Sequence, residues 1–219
     1  MSLKYIYFLL FLLSTFLAEG SGSVVAWGDS NQGGNSSYVA TDLNNGVDVI
    51  DIIATDTAFA ALKADGSVVT WGNDQLGGDS MAVAASLDSG VIKIFSNIAA
   101  FAALKSDGSV VTWGRGYSGG DSNSVATELS NNVISIISTE NSFAALKTDG
   151  SVITWGHAQE GGDSSSVVIE LSNNVINIFS NRGSYAALKS DGSFITWGLS
   201  GYGGDSSSVA PELSNNVID

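Results

Sequence analysis

The chain has no cysteine, one histidine (His157), one proline and only eight basic residues among 219. Without cysteine there is no disulfide framework, no thiolate zinc site and no thiol nucleophile. A single histidine excludes a multi-histidine metal centre. The basic residues are Lys4, Lys63, Lys93, Lys105, Arg115, Lys147, Arg182 and Lys189, dispersed along a chain with 22 acidic residues and a formal charge of −14. Phosphate binding needs clustered Lys and Arg to displace counterions, so nucleic acid is not expected as a partner. At 44% hydrophobic and 14% charged residues, the chain is also too apolar for a disordered acidic tail. Nothing in this inventory calls for a cofactor.

Residues 1–20 differ from the rest. Lys4 is followed by an apolar run of about fourteen residues, and then by Ala18-Glu19-Gly20, small residues at the spacing of a signal peptidase site. That run is shorter than the ~20 residues needed to span a bilayer. The expectation is a cleaved secretory signal, with an uncleaved anchor or a buried strand as the alternative. It implies a secreted or cell-surface protein with no stable membrane insertion once the signal is removed. Residues 21–28 are already in the register of the repeat that follows, so Phe16 to Glu19 would occupy the place of that repeat's preceding strand.

Residues 21–219 are one repeat array. Trp27, Trp71, Trp113, Trp155 and Trp197 are each followed by glycine, and successive tryptophans lie 44, 42, 42 and 42 residues apart. A Gly-Gly pair begins six residues after each tryptophan, at Gly33, Gly77, Gly119, Gly161 and Gly203. Four copies of a second block precede the later tryptophans; one reads Phe143-Ala-Ala-Leu-Lys147-Thr-Asp-Gly-Ser-Val-Ile-Thr-Trp155. Agreement this dense over consecutive units marks a repeat protein. The β-branched stretch 133–138 reads as a first strand, 143–147 as a second and 152–155 as a third. Asp149-Gly150 between the latter two is a hairpin signal, because a tight turn needs positive φ angles. Apolar groups on both faces of the third strand place it between neighbouring sheets. The Ala144-Ala145 pair indicates a strand too crowded for large side chains. The fold expected is all-β, a propeller of blades of about 42 residues that bury their faces against each other.

The motif Leu-Lys-x-Asp-Gly-x-Val-x-x-Trp-Gly, followed by a glycine-containing loop and a β-branched strand, resembles the repeat of the regulator of chromosome condensation family. The short unit is most similar to that family's secreted bacterial members, those of the propeller-type β-lactamase inhibitory kind. The resemblance implies a β-propeller, seven-bladed in the family. It leaves function open, since the family includes a nucleotide exchange factor, an inhibitor and other binding modules.

Four complete hairpins are expected, at 59–71, 101–113, 143–155 and 185–197, with partial units at both ends. This points to a partial propeller; the alternative is a closed five-bladed ring in which the strand beginning at Val217 pairs beside the segment 24–27. An open arc would leave blade faces and strand edges uncovered, and so predicts self-association.

Positions identical between copies are accounted for by the fold, so the tryptophans read as inter-blade packing and the Gly-Gly-Asp-Ser segments as turns, one carboxylate per copy being too few for calcium. Two segments vary: residues 29–32, 73–76, 115–118, 157–160 and 199–202 after Trp-Gly, and residues 55–58, 97–100, 139–142 and 181–184 before the middle strand. The antiparallel path puts both at the end of the blade opposite the Asp-Gly turn. Variation concentrated on one rim of a constant framework is how a scaffold presents a binding surface. The residues singled out there are Arg115, Tyr117, His157, Gln159, Arg182 and Tyr202, Tyr and Arg being the types that dominate interface energetics. The function expected is a non-catalytic module binding a protein partner through this rim. Nucleotide exchange on a small GTPase, implied by the resemblance, and glycan binding through rim aromatics are the alternatives. An enzyme is not expected: no segment converges paired carboxylates, and Ser164-Ser165-Ser166 has no partnering histidine.

Overall fold

The computed structural model describes residues 24–214. The expected signal segment, the strand proposed at Phe16 to Glu19 and the strand beginning at Val217 lie outside the described residues. Within them are four three-stranded antiparallel sheets, each with its strands in sequence order. The first blade is β1 (Val49–Ala54), β2 (Ala58–Lys63) and β3 (Val68–Gly72). The second is β4 (Val91–Ser96), β5 (Ala100–Lys105) and β6 (Val110–Gly114). The third is β7 (Val133–Ser138), β8 (Ser142–Lys147) and β9 (Val152–Gly156), and the fourth β10 (Val175–Ser180), β11 (Ser184–Lys189) and β12 (Phe194–Gly198). This is a partial β-propeller, and the four hairpins lie where the repeat puts them.

Strand alternation explains how the blades stack. In β8, Phe143 pairs across the sheet with Trp155 of β9, and their rings stack at 5.3 Å. They face the preceding blade, meeting Ala100, Ala102 and Leu104 of β5. Ala144 and Leu146, pointing the other way, meet Val175, Ile178, Tyr185 and Trp197 of the fourth blade. Alanine is therefore required where the large rings of the next blade press on the strand, and Ala102 and Ala144 are fully buried. Leu43, Leu87, Leu129 and Leu171, one per joint, plug the same interfaces at 1–2% exposure.

The tryptophans are the second fastening. Trp71, Trp113, Trp155 and Trp197 are buried, and each Nε1–H donates to the carbonyl of the first glycine of the preceding unit's Gly-Gly pair, at 3.0–3.1 Å. Trp27 departs from the expected packing role. It is 56% exposed, and no aromatic partner stacks on it among the described residues.

The hairpin turn also differs from expectation. Lys63 N–H donates to the Ser67 carbonyl across a three-residue loop, and only Gly66 has a positive φ, of 79°. Asp65 instead accepts from the Ser67 amide and hydroxyl, and Asp107, Asp149 and Asp191 repeat the arrangement with Ser109, Ser151 and Ser193. These bonds to the ionised form hold the four carboxyls below the usual range, the serine hydroxyl being the largest cause. The lysines of the motif are structural too. Lys105, Lys147 and Lys189 each donate Nζ–H to the carbonyl of Ser86, Glu128 or Glu170, and the buried Lys63 donates to the Asp42 carbonyl and Asn45 Oδ1.

Candidate functional site

The two variable segments of each blade meet at one end, opposite the Asp-Gly turns. After each Trp-Gly the chain makes a one-turn 3₁₀ helix, such as 116–118 or 158–160. The residue that opens the other loop clamps it: Thr55, Asn97, Thr139 and Asn181 donate to the carbonyls of Leu76, Ser118, Glu160 and Tyr202. Thr and Asn alternate here while making the same bond, so this position, grouped with the variable ones by sequence, belongs to the framework. The Gly-Gly-Asp-Ser segments are turns as expected. Asp79, Asp121, Asp163 and Asp205 accept from the amides two residues on, capping the next 3₁₀ turn.

On this held backbone the side chains that differ between blades form a patch over blades two to four. Tyr117 follows the second blade and His157 the third, yet their rings sit 4.4 Å apart, tilted by 38°. Glu160 Oε1 lies 3.3 Å from His157 Nδ1, but outside hydrogen-bond geometry, so that buried nitrogen has an electrostatic neighbour and no hydrogen bond. Asn141 Nδ2 donates to Glu160 Oε2 at 3.1 Å, and Ser118 Oγ donates to Asn141 Oδ1 at 2.8 Å, tying the second blade to the third. The Arg182 guanidinium meets Glu140 Oε2 at 2.8 Å. Glu140 raises the Arg182 pKa, first through this hydrogen bond and then through its charge, with the Tyr202 and Glu160 charges adding to it. Tyr202 and Leu199 pack over Gly183.

Five of the six residues singled out from sequence are thus placed as follows. Tyr117 and His157 form one pair, Arg182 pairs with Glu140, Tyr202 packs over Gly183, and Arg115 is exposed with only its backbone engaged, its amide donating to the Ala99 carbonyl. Gln159 is exposed in the 3₁₀ turn 158–160, and its side chain makes no hydrogen bond among the described residues. Sequence reasoning did not single out Glu140, Asn141, Glu160 or Ser118, which join the others into a patch. All four lie inside the variable segments, and the only signal for them is that each differs from its counterparts in the other copies.

Among the described residues no group of three or more metal-ligating side chains gathers, and no helix is long and apolar enough to cross a membrane. The rim offers cation, carboxylate, amide and aromatic surface on a hydrogen-bonded backbone. Its one histidine is covered by Tyr117 and faces Glu160.

No family model matches the chain, and no curated protein matches it. Solved structures do. Human WBSCR16 superposes with a TM-score of 0.50 at 16% identity, over 72% of this chain and 48% of that one. Yeast RCC1 (Prp20), solved with Kap60 bound to it, gives 0.47 at 18% identity, over 74% of this chain and 44% of its own. The ectodomain of the Physcomitrella patens receptor kinase CR4 gives 0.46 at 16%, over 70% and 40%. This chain spans less than half the length of each, and at these identities the likeness is one of fold alone.

Proposed function

We propose that the protein is a secreted, non-catalytic binding module that engages a protein partner through the variable rim of blades two to four. The observation that carries this reading is the convergence of both variable segments into one patch, Tyr117–His157–Glu160 beside Glu140–Arg182–Tyr202, on a backbone pinned by the same bond in every blade. A surface ordered in advance loses less entropy on binding than a mobile one. Tyr and Arg supply large contact area and charge-assisted bonds to a carboxylate-bearing partner. Among the described residues Arg115 is the rim arginine without a carboxylate, and is therefore the anchor for such a partner. The apolar run in residues 1–20 supports secretion, and residues 21–219 are assigned to the repeat array. The Leu-Lys-x-Asp-Gly-x-Val-x-x-Trp-Gly repeat supports placing the chain with the regulator of chromosome condensation repeats, in their short secreted form. His157 packed against Tyr117 supports a binding role over catalysis, because a general base must reach the proton it takes.

The test is affinity capture from secreted and surface fractions with the full chain and with an Arg115→Ala/Tyr117→Ala/Tyr202→Ala variant. A protein recovered by the first and lost with the second supports the proposal. Recovery of nothing, or equal recovery by both, sinks it. Capture of glycan on an array, or stimulated nucleotide release from a small GTPase, would replace it.

A further inference from the structure

Each joint between blades has a seat. Gly33, Gly77, Gly119 and Gly161 are buried, and a Cβ built on any of them would fall 2.4–2.7 Å from the ring of Phe59, Phe101, Phe143 or Tyr185 in the next blade. The tryptophan stacked on that ring donates its indole N–H to the same glycine's carbonyl. The fifth copy, Gly203, has the same left-handed backbone, with φ of 92°, yet nothing lies within 4 Å of its Cβ position among the described residues. Its carbonyl accepts no hydrogen bond there. The surrounding face is uncovered in part, although Leu188 is as buried as its counterpart Leu146. Phe179 is 46% exposed, whereas its counterparts Ile53, Phe95 and Ile137 are packed into joints, and Ala186 is partly exposed where Ala60, Ala102 and Ala144 are fully buried.

At the other end stands a tryptophan without a seat. Gly33 and Gly34 follow Trp27-Gly28 as Gly77 and Gly78 follow Trp71-Gly72. Gly34 lies against Gly28 as Gly78 lies against Gly72, and both Gly28 and Gly72 have positive φ, of 115° and 109°. Trp27 is therefore held in the local conformation of its seated counterparts, but 56% exposed and beside Val25 at 66%. The backbone repeats this polarity. Asp56, Ile98 and Glu140 each donate N–H to the carbonyl of the equivalent residue in the next unit, on Ile98, Glu140 and Arg182. At the ends of this ladder, the Arg182 N–H and the Asp56 carbonyl have no partner among the described residues.

We propose that this chain associates head to tail, Trp27 of one copy entering the Gly203 seat of a second copy and donating its indole N–H to the Gly203 carbonyl. The occupant is a second copy because every filled seat has its glycine carbonyl bonded by a tryptophan of this repeat, and the unseated tryptophan and the unfilled seat lie at opposite ends of the described array. Such a contact is heterologous, joining unlike surfaces, so it continues in one direction and does not pair two identical faces.

Sedimentation velocity on the full chain over a range of concentrations tests this, with Trp27→Ala removing the head and Phe179→Glu blocking the tail. Both side chains are exposed, and circular dichroism verifies that the variants are folded. The wild type is expected to associate as concentration rises. Each variant alone should lose about thirtyfold in association constant, the loss expected for an interface hot spot. An equimolar mixture should regain a one-to-one complex, since one variant keeps its tail and the other its head. A wild type that stays monomeric with Trp27 open to a collisional quencher overturns the proposal. So does a monomer with Trp27 shielded, which would mean ring closure within one chain. Variants that associate like the wild type, or a mixture that does not recover, overturn it as well. Arg115→Ala and Tyr117→Ala without the Tyr202 change leave both end faces intact, so failure of the rim reading is separately visible.

Discussion

The Tyr185 hydroxyl lies 2.9 Å from Ser142 Oγ, across the joint between the third and fourth blades. It also accepts from the Thr139 amide at 3.1 Å. At the two preceding joints the ring is Phe101 or Phe143, and the residue in the place of Ser142 is Ala58 or Ala100. Tyrosine and serine therefore occur together, and so do phenylalanine and alanine. Tyr185→Phe is expected to cost about 1 kcal/mol by removing the hydroxyl's bonds with Ser142 Oγ and the Thr139 amide, the amide keeping the Ser142 carbonyl as its acceptor. Adding Ser142→Ala restores the composition of the other joints. A double-mutant cycle by denaturant unfolding should show the two substitutions coupled by about 1 kcal/mol; strict additivity would mean the hydrogen bond contributes nothing to stability.

The same tyrosine sets an alkaline limit. Burial pushes its phenol up to about 12, against the opposing effect of its bonds with Ser142 and Thr139. The folded pKa is raised above the ordinary value of about 10, so the contribution to stability is whole below that pH. It is lost as pH rises from about 10 towards 12. Unfolding of Tyr185→Phe should be flatter than that of the wild type over this interval, as measured by midpoint against pH.

The glycine seats predict a contrast between two identical substitutions. Gly119→Ala and Gly203→Ala each place a side chain at positive φ, which costs about 1–2 kcal/mol. At Gly119 the new methyl also falls 2.7 Å from the Phe143 ring, where overpacking adds about 1–3 kcal/mol. At Gly203 it meets nothing among the described residues. Thermal unfolding of the two variants should therefore differ clearly, Gly119→Ala having the lower midpoint.

Acid should loosen the turns. Asp65, Asp107, Asp149 and Asp191 have folded pKa values below their unfolded ones. Their contribution is present above the unfolded value of about 4 and is lost as pH falls through the folded one. Stability should hold from neutral pH down to about 4 and decline below it. Carboxyl chemical shifts in an NMR titration should place the four turn aspartates below the ordinary carboxylate value, together with Asp163 and Asp205, whose carboxylates accept from Ser165 and Ser207.

Arg182 is exposed and pairs with Glu140 at the surface, where ion pairs add little to stability. Arg182→Ala should leave the thermal midpoint unchanged within error while weakening capture of the rim's partner. A variant that unfolds early would assign Arg182 to the framework.

Much of the fold was legible in the sequence because each blade repeats its signals. The Trp-Gly step, the Phe-Ala-Ala-Leu-Lys strand and the β-branched first strand fall where periodicity puts them, and alanine at 144 and 145 did indicate crowding. Local chemistry was harder to read. The hairpin loop is one residue longer than Asp-Gly alone implies, because serine after the glycine satisfies the aspartate. The lysines fasten carbonyls that lie upstream of the first strand of their own blade, a separation no short motif spans. For the candidate site, the rim itself followed from the antiparallel path. The pairing of Tyr117 with His157 and of Ser118 with Asn141 did not, since both contacts cross from one blade to the next and depend on how far the blades are rotated.

The ladder from Asp56 through Ile98 and Glu140 to Arg182 works as a ruler graduated in steps of one repeat unit. A cassette copied from the middle of the array, such as residues 98–139, could be spliced in tandem and meet the same donors and acceptors on both sides. A cassette one residue longer or shorter would slip every mark after the splice. The chain can thus be lengthened like a scale, in whole divisions and in one direction.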